Sequence, residues 1–215
     1  MWIGMQIAAM LTMLIDHIGY LFFADNPLYR FIGRIAFPLY TYGIVLGYQY
    51  TSNAKRYIRR LFLLALVSQL PFTLVFQTYA LNVIFTLLAS LLTIMAIDRA
   101  NSRGRKWMIL CFAVIVTFII PMDYGWYGVL LVCIYRYAEG NRMVAGHLLL
   151  NLVDALLAWH YVQWFSIIPT IVIAWFPEIV KKSSRAVPVW IWRSFYPAHL
   201  AALGIIYLFI HYPSL

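Results

Sequence analysis

The stretch MLTMLIDHIGYLFFADNPLYRFIGRIAFP, residues 10–38, decides how the chain is interpreted. It is typical of one membrane helix that ends, a short turn, and a second helix that begins. Asp16 and His17 interrupt the first apolar run, and Arg30 and Arg34 follow the turn. Ionisable side chains at membrane depth are costly, so they mark a functional site by default. The alternative is a structural ion pair that locks two helices together.

The composition is that of an integral membrane protein. Of the 215 residues, 64% are hydrophobic and 11% are charged, whereas soluble domains are about 45–50% apolar and about 25% charged. We therefore predict that residues 1–215 form a single integral membrane domain. The net charge of +9 does not indicate nucleic-acid binding, because the basic residues lie in short loops between apolar runs. The two cysteines fall in apolar runs, and their spacing predicts no metal site.

Apolar runs along the whole chain predict an all-α, polytopic transmembrane helical bundle of about nine spans. A helix that crosses the hydrocarbon core needs about 20 residues, with a range of roughly 17–25. The fifth, sixth and eighth runs are short, and the sixth has a re-entrant segment as its alternative. The runs cover residues 2–23, 34–52, 58–77, 80–98, 107–121, 124–138, 143–163, 164–180 and 190–211.

The distribution of basic residues predicts the orientation. All of the 16 basic residues except Arg30 and Arg34 follow the second, fourth, sixth or eighth run. Cytoplasmic loops carry the excess of Lys and Arg, so the N-terminus is predicted to be cytoplasmic and the C-terminus outside. This alternation also favours nine spans over a re-entrant sixth segment. Arg34 is expected to lie deeper than Arg30, for which an interfacial side chain is the alternative.

The predicted catalytic residues are His17, Asp16 and Arg34. Asp16 and His17 are neighbours, so their side chains point about 100° apart on a helix. We expect Asp16 to form a salt bridge with Arg34, which leaves His17 free to face a cavity. A histidine can act as a general base near neutral pH or carry an acyl group, and Arg34 can stabilise an oxyanion.

Other polar residues within or beside the apolar runs are predicted to bind substrate. His147, Asn151 and Asp154 share one helix face, where they either line a polar route or hold helices together by hydrogen bonds. Asn82 has an N-cap as its alternative, and Asp123 a favourable charge at a helix N-terminus. The predicted set is Asn82, Asp123, Tyr124, His147, Asn151, Asp154 and His199.

For two of the histidines, the sequence predicts only a depth in the membrane. His199 is placed close to the cytoplasmic end of the ninth run. His160 is placed on the outer side, as a further candidate should His17 not be catalytic.

Six blocks, in chain order, resemble the TraX family, which is named for the membrane protein that N-acetylates F-type conjugative pilin. They are MLTMLIDHIG (10–19), RFIGRIAFPLYTY (30–42), SQLPF (68–72), LNVIFTLL (81–88), DYGWYGVLL (123–131) and FYPAHL (195–200). The resemblance implies a multi-pass acyltransferase of the bacterial inner membrane, with acetyl-CoA as the donor. A wider group of transmembrane acyltransferases is similar in outline, but many of its members carry an Arg where this chain has Ile7.

We therefore predict a membrane-embedded acetyltransferase that moves an acetyl group from cytoplasmic acetyl-CoA to an amine or hydroxyl acceptor at the outer side. A pilin-like peptide, a glycan and a lipid all remain possible acceptors. The CoA phosphates are expected on the basic inner loops, with the pantetheine arm reaching into the bundle. The alternative is a proton-coupled or small-solute transporter, which would use the same residue types but would not release free CoA.

Overall fold

The computed structural model describes residues 3–158, 161–178 and 187–211, and these residues form a helical bundle. The first half contains α1 (Ile3–Phe22), α2 (Pro27–Gly33), α3 (Ala36–Tyr50), α4 (Ala54–Phe76) and α5 (Val83–Arg99). The second half contains α6 (Arg103–Ile119), α7 (Gly125–Tyr137), α8 (Gly140–Ala158), a 3-10 helix (Tyr161–Ser166), α9 (Ile167–Trp175) and α10 (Val189–His211). The all-α class is confirmed, and each predicted run contains a helix.

Within the described residues, three helices are long and apolar enough to cross a membrane. They are α1, α4 and α10, with 20, 23 and 22 residues in their apolar segments. The helix α7 has only 13 residues, which reach about 20 Å at 1.5 Å per residue and fall short of the roughly 30 Å hydrocarbon core. The nine crossings and their orientation therefore stay predictions.

The three long helices run in the same direction around one space. Val187, just before α10, donates its backbone N–H to the side-chain oxygen of Gln6 near the start of α1, at 2.8 Å. Further along, the ring of His17 on α1 contacts that of His199 on α10. Phe76, the last residue of α4, meets His17 edge-on with ring centroids 5.2 Å apart. All three helices therefore begin at the same end of the bundle, as the predicted order of runs one, three and nine requires.

Apolar side chains fill the centre of the bundle and also cover part of its surface. Val45, Leu91 and Leu131, from α3, α5 and α7, are almost completely buried. On α6, by contrast, Phe112 and Phe118 are exposed. An apolar outer face of this kind is typical of a surface that contacts lipid, and it accords with a membrane protein.

The helix α2 corrects the prediction of a simple turn between the first two apolar runs. The side chain of Asn26 accepts a hydrogen bond from the backbone N–H of Leu28 at 3.1 Å. Pro27 is the first helical residue, where the missing N–H costs nothing. The sequence signal was therefore present, in an N-cap followed by proline, but seven residues are too few to register as a membrane helix.

Two glycines allow α2 to lie directly against α1. A Cβ on Gly19 would overlap the side chain of Tyr29, and a Cβ on Gly33 would overlap the carboxyl group of Asp16. The backbone of α2 therefore approaches α1 as closely as a residue without a side chain permits.

We expect Gly33→Ala to destabilise the protein, because the added methyl group would displace Asp16. Overpacking typically costs about 1–3 kcal/mol, so the melting temperature of the detergent-purified protein should fall. The matched control is Gly104→Ala on α6, where the new Cβ would meet no atom within 4 Å other than the neighbouring residues and backbone of its own helix, and alanine favours the helix. Equal melting temperatures for the two variants would contradict the close approach of α2 to α1.

Candidate functional site

A cavity of about 940 Å³ lies between the long helices and α3. Its lining on α1 extends from Gln6 to Tyr20, which corresponds to about 20 Å along the helix. Ligand cavities in proteins are roughly 300–1,000 Å³, so an elongated ligand fits this space. The charged lining residues fall into two groups, with Arg60 and Arg193 near the helix starts and Asp16, Arg30, Arg34 and Asp123 at the far end.

The predicted salt bridge between Asp16 and Arg34 is wrong, because Asp16 pairs with Arg30. Arg30 Nη1 donates to Asp16 Oδ2 at 3.0 Å, and the side chains of Arg30 and Asp16 are 33% and 15% exposed. The reason is α2, which carries Arg30 back over the end of α1. Arg30 is therefore an ion-pair partner rather than only an interfacial side chain.

Arg34 instead joins α7 and the 3-10 helix. Its Nη1 donates to the hydroxyl of Tyr124 at 3.0 Å and to Gln163 Oε1 at 3.3 Å. Three of the four buried side-chain atoms without a hydrogen-bond partner among the described residues lie here, namely Arg34 Nε, Gln163 Nε2 and Asp16 Oδ1, and the fourth is Thr41 Oγ1 on α3. Buried polar atoms are usually paired, so this concentration of unpaired atoms distinguishes the far end of the cavity from the surrounding bundle.

Backbone bonds fix Asp123 and Tyr124 at the cavity. Asp123 donates its backbone N–H to the carbonyl of Leu81 at 2.9 Å, and its own carbonyl accepts from the hydroxyl of Thr86 at 2.6 Å. Tyr124 has φ +64°, a left-handed conformation that is uncommon for a residue with a side chain. Its ring stacks on Phe37 with centroids 3.7 Å apart. The aromatic side chain is thus held in one place beside Arg34.

The carboxyl group of Asp123 lies in the loop between α6 and α7. Burial raises its pKa to about 6, although the nearby Arg34 guanidinium opposes the rise. By surface area the Asp123 side chain is only half-buried, and it lines the cavity beside Arg34. An acidic group in this position suits a cationic or hydrogen-bond-donating ligand group.

His17 lines the cavity, as predicted for a residue that faces one. Its Nδ1 lies 2.7 Å from His199 Nε2. The placement of His199 near the cytoplasmic end is wrong, because it is the eleventh residue of α10 and lies beside His17 in the far part of α1. No local sequence pattern indicated this pair, because the two histidines are 182 positions apart in the chain.

Asn82 lies outside the cavity lining and has its polar atoms paired. It caps α5 by accepting from the backbone N–H of Ile84 at 3.0 Å. Its amide donates to the carbonyl of Ala65 at 2.8 Å and to Gln69 Oε1 at 2.9 Å. These contacts accord with the N-cap alternative and also tie α5 to α4.

His147 and Asn151 belong to a buried network between α7, α8 and α9. The hydroxyl of Tyr127 lies 2.8 Å from His147 Nε2 and donates to Asn151 Oδ1 at 2.7 Å. The amide of Asn151 donates to Ser166 Oγ at 3.2 Å, and His147 Nδ1 bonds to Thr170. With both ring nitrogens of His147 paired, the geometry favours the alternative in which these residues hold helices together.

Asp154, on the same helix face, lines a second cavity of about 630 Å³. Arg34, Asp123 and Tyr124 border both this cavity and the first. The two cavities therefore meet at the charged side chains of Arg34 and Asp123 and at the left-handed backbone of Tyr124. His160, which the sequence predicts to lie on the outer side, falls outside the described residues.

Arg60 and Arg193 are the site residues that the sequence prediction missed. They were attributed to loop charge, but Arg60 lies on α4, Arg193 lies on α10, and both line the cavity. Neither forms an ion pair with a carboxylate among the described residues, and each lies near enough to the other for like-charge repulsion. A usable signal was present, because Arg193 stands inside the predicted ninth span, where loop charge does not account for it.

Comparison with known proteins identifies relatives of the whole chain. The model of the TraX protein family matches residues 4–207. A probable fimbrial assembly protein FimC, serogroup H1, from Dichelobacter nodosus is 27% identical over 230 residues, which cover 93% of this chain and 92% of that protein. No solved structure matches the chain significantly.

We expect Asn82→Ala to destabilise the protein without a specific effect on substrate binding. A buried polar group left unpaired costs about 1–3 kcal/mol, and the variant leaves Gln69 and the start of α5 without their partner. The control is Ser102→Ala, which removes the exposed N-cap of α6 and should cost only about 1 kcal/mol. A normal melting temperature for Asn82→Ala, combined with a weakened affinity for substrate, would restore the substrate-binding assignment.

Proposed function

Because the chain belongs to the TraX family, we propose that it is a membrane-embedded acetyltransferase that moves an acetyl group from acetyl-CoA to an amine or hydroxyl acceptor. One observation carries this proposal. One elongated cavity has Arg60 and Arg193 at one end, neither of them paired with a carboxylate among the described residues, and His17 toward the other end. An anionic donor with a reactive group at its far tip suits this arrangement.

Arg60 and Arg193 would hold the phosphates of the donor. Two guanidinium groups that repel each other are stabilised when an anion lies between them, and arginine binds phosphate through paired hydrogen bonds. Tyr57 contributes an aromatic face, because the Arg60 guanidinium carbon lies 5.9 Å from its ring centroid. With the orientation predicted from loop charge, this end of the cavity opens toward the cytoplasm, where acetyl-CoA is available.

The thioester would then reach His17, about 16 Å further along α1 than Gln6 by helix geometry. Acting as a base, His17 takes the proton of the acceptor nitrogen or oxygen as that atom bonds to the thioester carbonyl carbon. The C–S bond breaks, and the sulfur leaves with a proton returned by the imidazolium, giving the acetylated acceptor and free CoA thiol. The other route is transient acetylation of His17, followed by transfer to the acceptor.

Arg34 and Tyr124 are the groups we assign to the developing oxyanion. The arginine is fixed by its bonds to Tyr124 and Gln163, and fixed donors need little reorganisation during reaction. The ion pair of Asp16 and Arg30 holds this end of the cavity together.

The second cavity is the space we assign to the acceptor, because it meets the first at Arg34, Asp123 and Tyr124. The carboxylate of Asp123 would orient an amine or a hydroxyl. Since a relative is named a fimbrial assembly protein, a pilin-like peptide is the first acceptor to test, followed by a glycan and a lipid. We place the protein in the bacterial inner membrane, with this cavity at the outer side.

Purified protein in nanodiscs is expected to release free CoA thiol from acetyl-CoA when membrane extract supplies the acceptor. His17→Gln should lower the rate by about 10²–10⁴-fold, the usual contribution of a general base. The control His147→Gln alters a buried histidine that does not line the cavity, and should retain the rate per folded molecule. Absence of acetyl-CoA binding and turnover in the wild type would overturn the proposal in favour of a transporter.

The double variant Arg60→Gln, Arg193→Gln is expected to raise KM for acetyl-CoA at least 10-fold, because each charged hydrogen bond is worth about 1.5–3 kcal/mol. S-acetyl-pantetheine, which lacks the phosphates, should be used equally well by the double variant and the wild type. Arg105→Gln, an exposed arginine on α6, is the matched control. An unchanged KM for acetyl-CoA in the double variant would remove the phosphate assignment.

A further inference from the structure

We infer that His199 is a positioning residue that fixes the tautomer of His17, so that the unprotonated nitrogen of His17 is Nε2. The inference rests on the proposed function of His17 as base or acyl carrier. It replaces the prediction that His199 binds substrate, since His199 does not line the cavity.

The first step concerns the proton on His199. Its Nδ1 lies 2.6 Å from the backbone carbonyl oxygen of Phe195. A carbonyl oxygen only accepts hydrogen bonds, so Nδ1 of His199 must carry a proton. The acceptor is one turn earlier on the same helix, which makes it a fixed part of α10.

The second step concerns the two facing nitrogens. Both rings are buried, with His17 8% and His199 7% exposed, and neither has a hydrogen bond to a carboxylate among the described residues. Burying an unpaired charge is costly, so both rings are neutral. A neutral His199 with a proton on Nδ1 has its lone pair on Nε2, and this atom therefore accepts from His17 Nδ1 at 2.7 Å.

The third step gives the state of His17. Because its Nδ1 carries the proton, its Nε2 carries the lone pair. No hydrogen bond joins this Nε2 to another described residue, while the ring lines the cavity. The two imidazole rings are nearly coplanar, with 7° between their planes, and Phe76 and Tyr196 meet His17 edge-on. The ring is therefore held with one nitrogen committed to His199 and the other left for chemistry.

The opposite tautomer would be unreactive. With its proton on Nε2, His17 would offer a donor to the substrate and could neither take a proton there nor attack a thioester carbon. In proteases, an orienting group that imposes the wrong tautomer lowers kcat by about 10⁴. His199 would contribute by the same physical means, although its partner is a backbone carbonyl rather than a carboxylate.

Two amide substitutions separate this role from simple packing. In His199→Gln, the side-chain oxygen can take the place of Nε2 and still accept from His17. In His199→Asn, the side chain is shorter, and its amide nitrogen reaches only the position of Nδ1. No atom then occupies the position of Nε2, so His17 loses its hydrogen-bond acceptor. We expect His199→Gln to retain turnover within about 10-fold and His199→Asn to lose about 10²–10⁴-fold in kcat, with KM for acetyl-CoA unchanged in both.

The tautomer itself is measured by nitrogen NMR of full-length protein labelled with ¹⁵N-histidine, with His17→Gln used to assign the signals. The inference requires His17 to carry its proton on Nδ1 in the wild type and in His199→Gln, and a mixture of tautomers in His199→Asn. A proton on Nε2 of His17 in the wild type would overturn it, whatever the activity.

Equal losses of activity in the two variants with no change in the His17 spectrum would also overturn it, because they would mean a packing role. This readout needs no turnover, so it stays decisive if the acetyltransferase proposal fails. Turnover that survives in His17→Gln would reject His17 as the base but leave the tautomer measurement intact.

Discussion

A carboxylate in apolar surroundings needs a cation within hydrogen-bond distance, and the end of this bundle that contains Asp16 is arranged around that need. Asp16 lies inside an apolar helix, and its partner Arg30 reaches it only because α2 turns back along α1. Gly33 brings the two backbones together. Arg34 directly follows this short helix, and its guanidinium group donates to the hydroxyl of Tyr124. The ion pair, the cavity wall and the start of α3 therefore depend on one close contact between helices.

Some polar groups inside the bundle hold helices together, and others form the candidate site. The two kinds differ in whether their hydrogen-bonding atoms are all paired. The side chains of Asn82 and His147 both find partners on neighbouring helices, as expected where polar groups specify packing. Around Arg34 and Asp16, buried donors and an acceptor remain unpaired, and the backbone at Tyr124 is left-handed. Unpaired groups and backbone strain concentrate where proteins bind and react.

The sequence predicted the positions of the helices better than their contacts. Apolar runs identify each long helix because burial and lipid contact both require them, and the cost of Asp16 and His17 in such a run pointed to the site. The ion-pair partner of Asp16 could not be predicted from the sequence. Arg30 and Arg34 lie about one helical turn apart, and only the path of α2 brings Arg30 rather than Arg34 to Asp16. The pair of His17 and His199 depends on which helices become neighbours, and no local pattern encodes that. For Asn82, the sequence was equally compatible with an N-cap of α5 and with a substrate-binding residue.

The common direction of α1, α4 and α10 has an electrostatic consequence of its own. Each helix carries a macrodipole equivalent to about half a positive charge at its N-terminus. Three positive ends gather around the part of the cavity that contains Arg60 and Arg193, and the opposed helix α3, which ends there at Tyr50, offsets only part of their field. The peptide groups of the scaffold therefore favour an anion at the same place as the side chains do. Substituting the arginines would weaken that preference without abolishing it, because part of the positive potential belongs to the backbone.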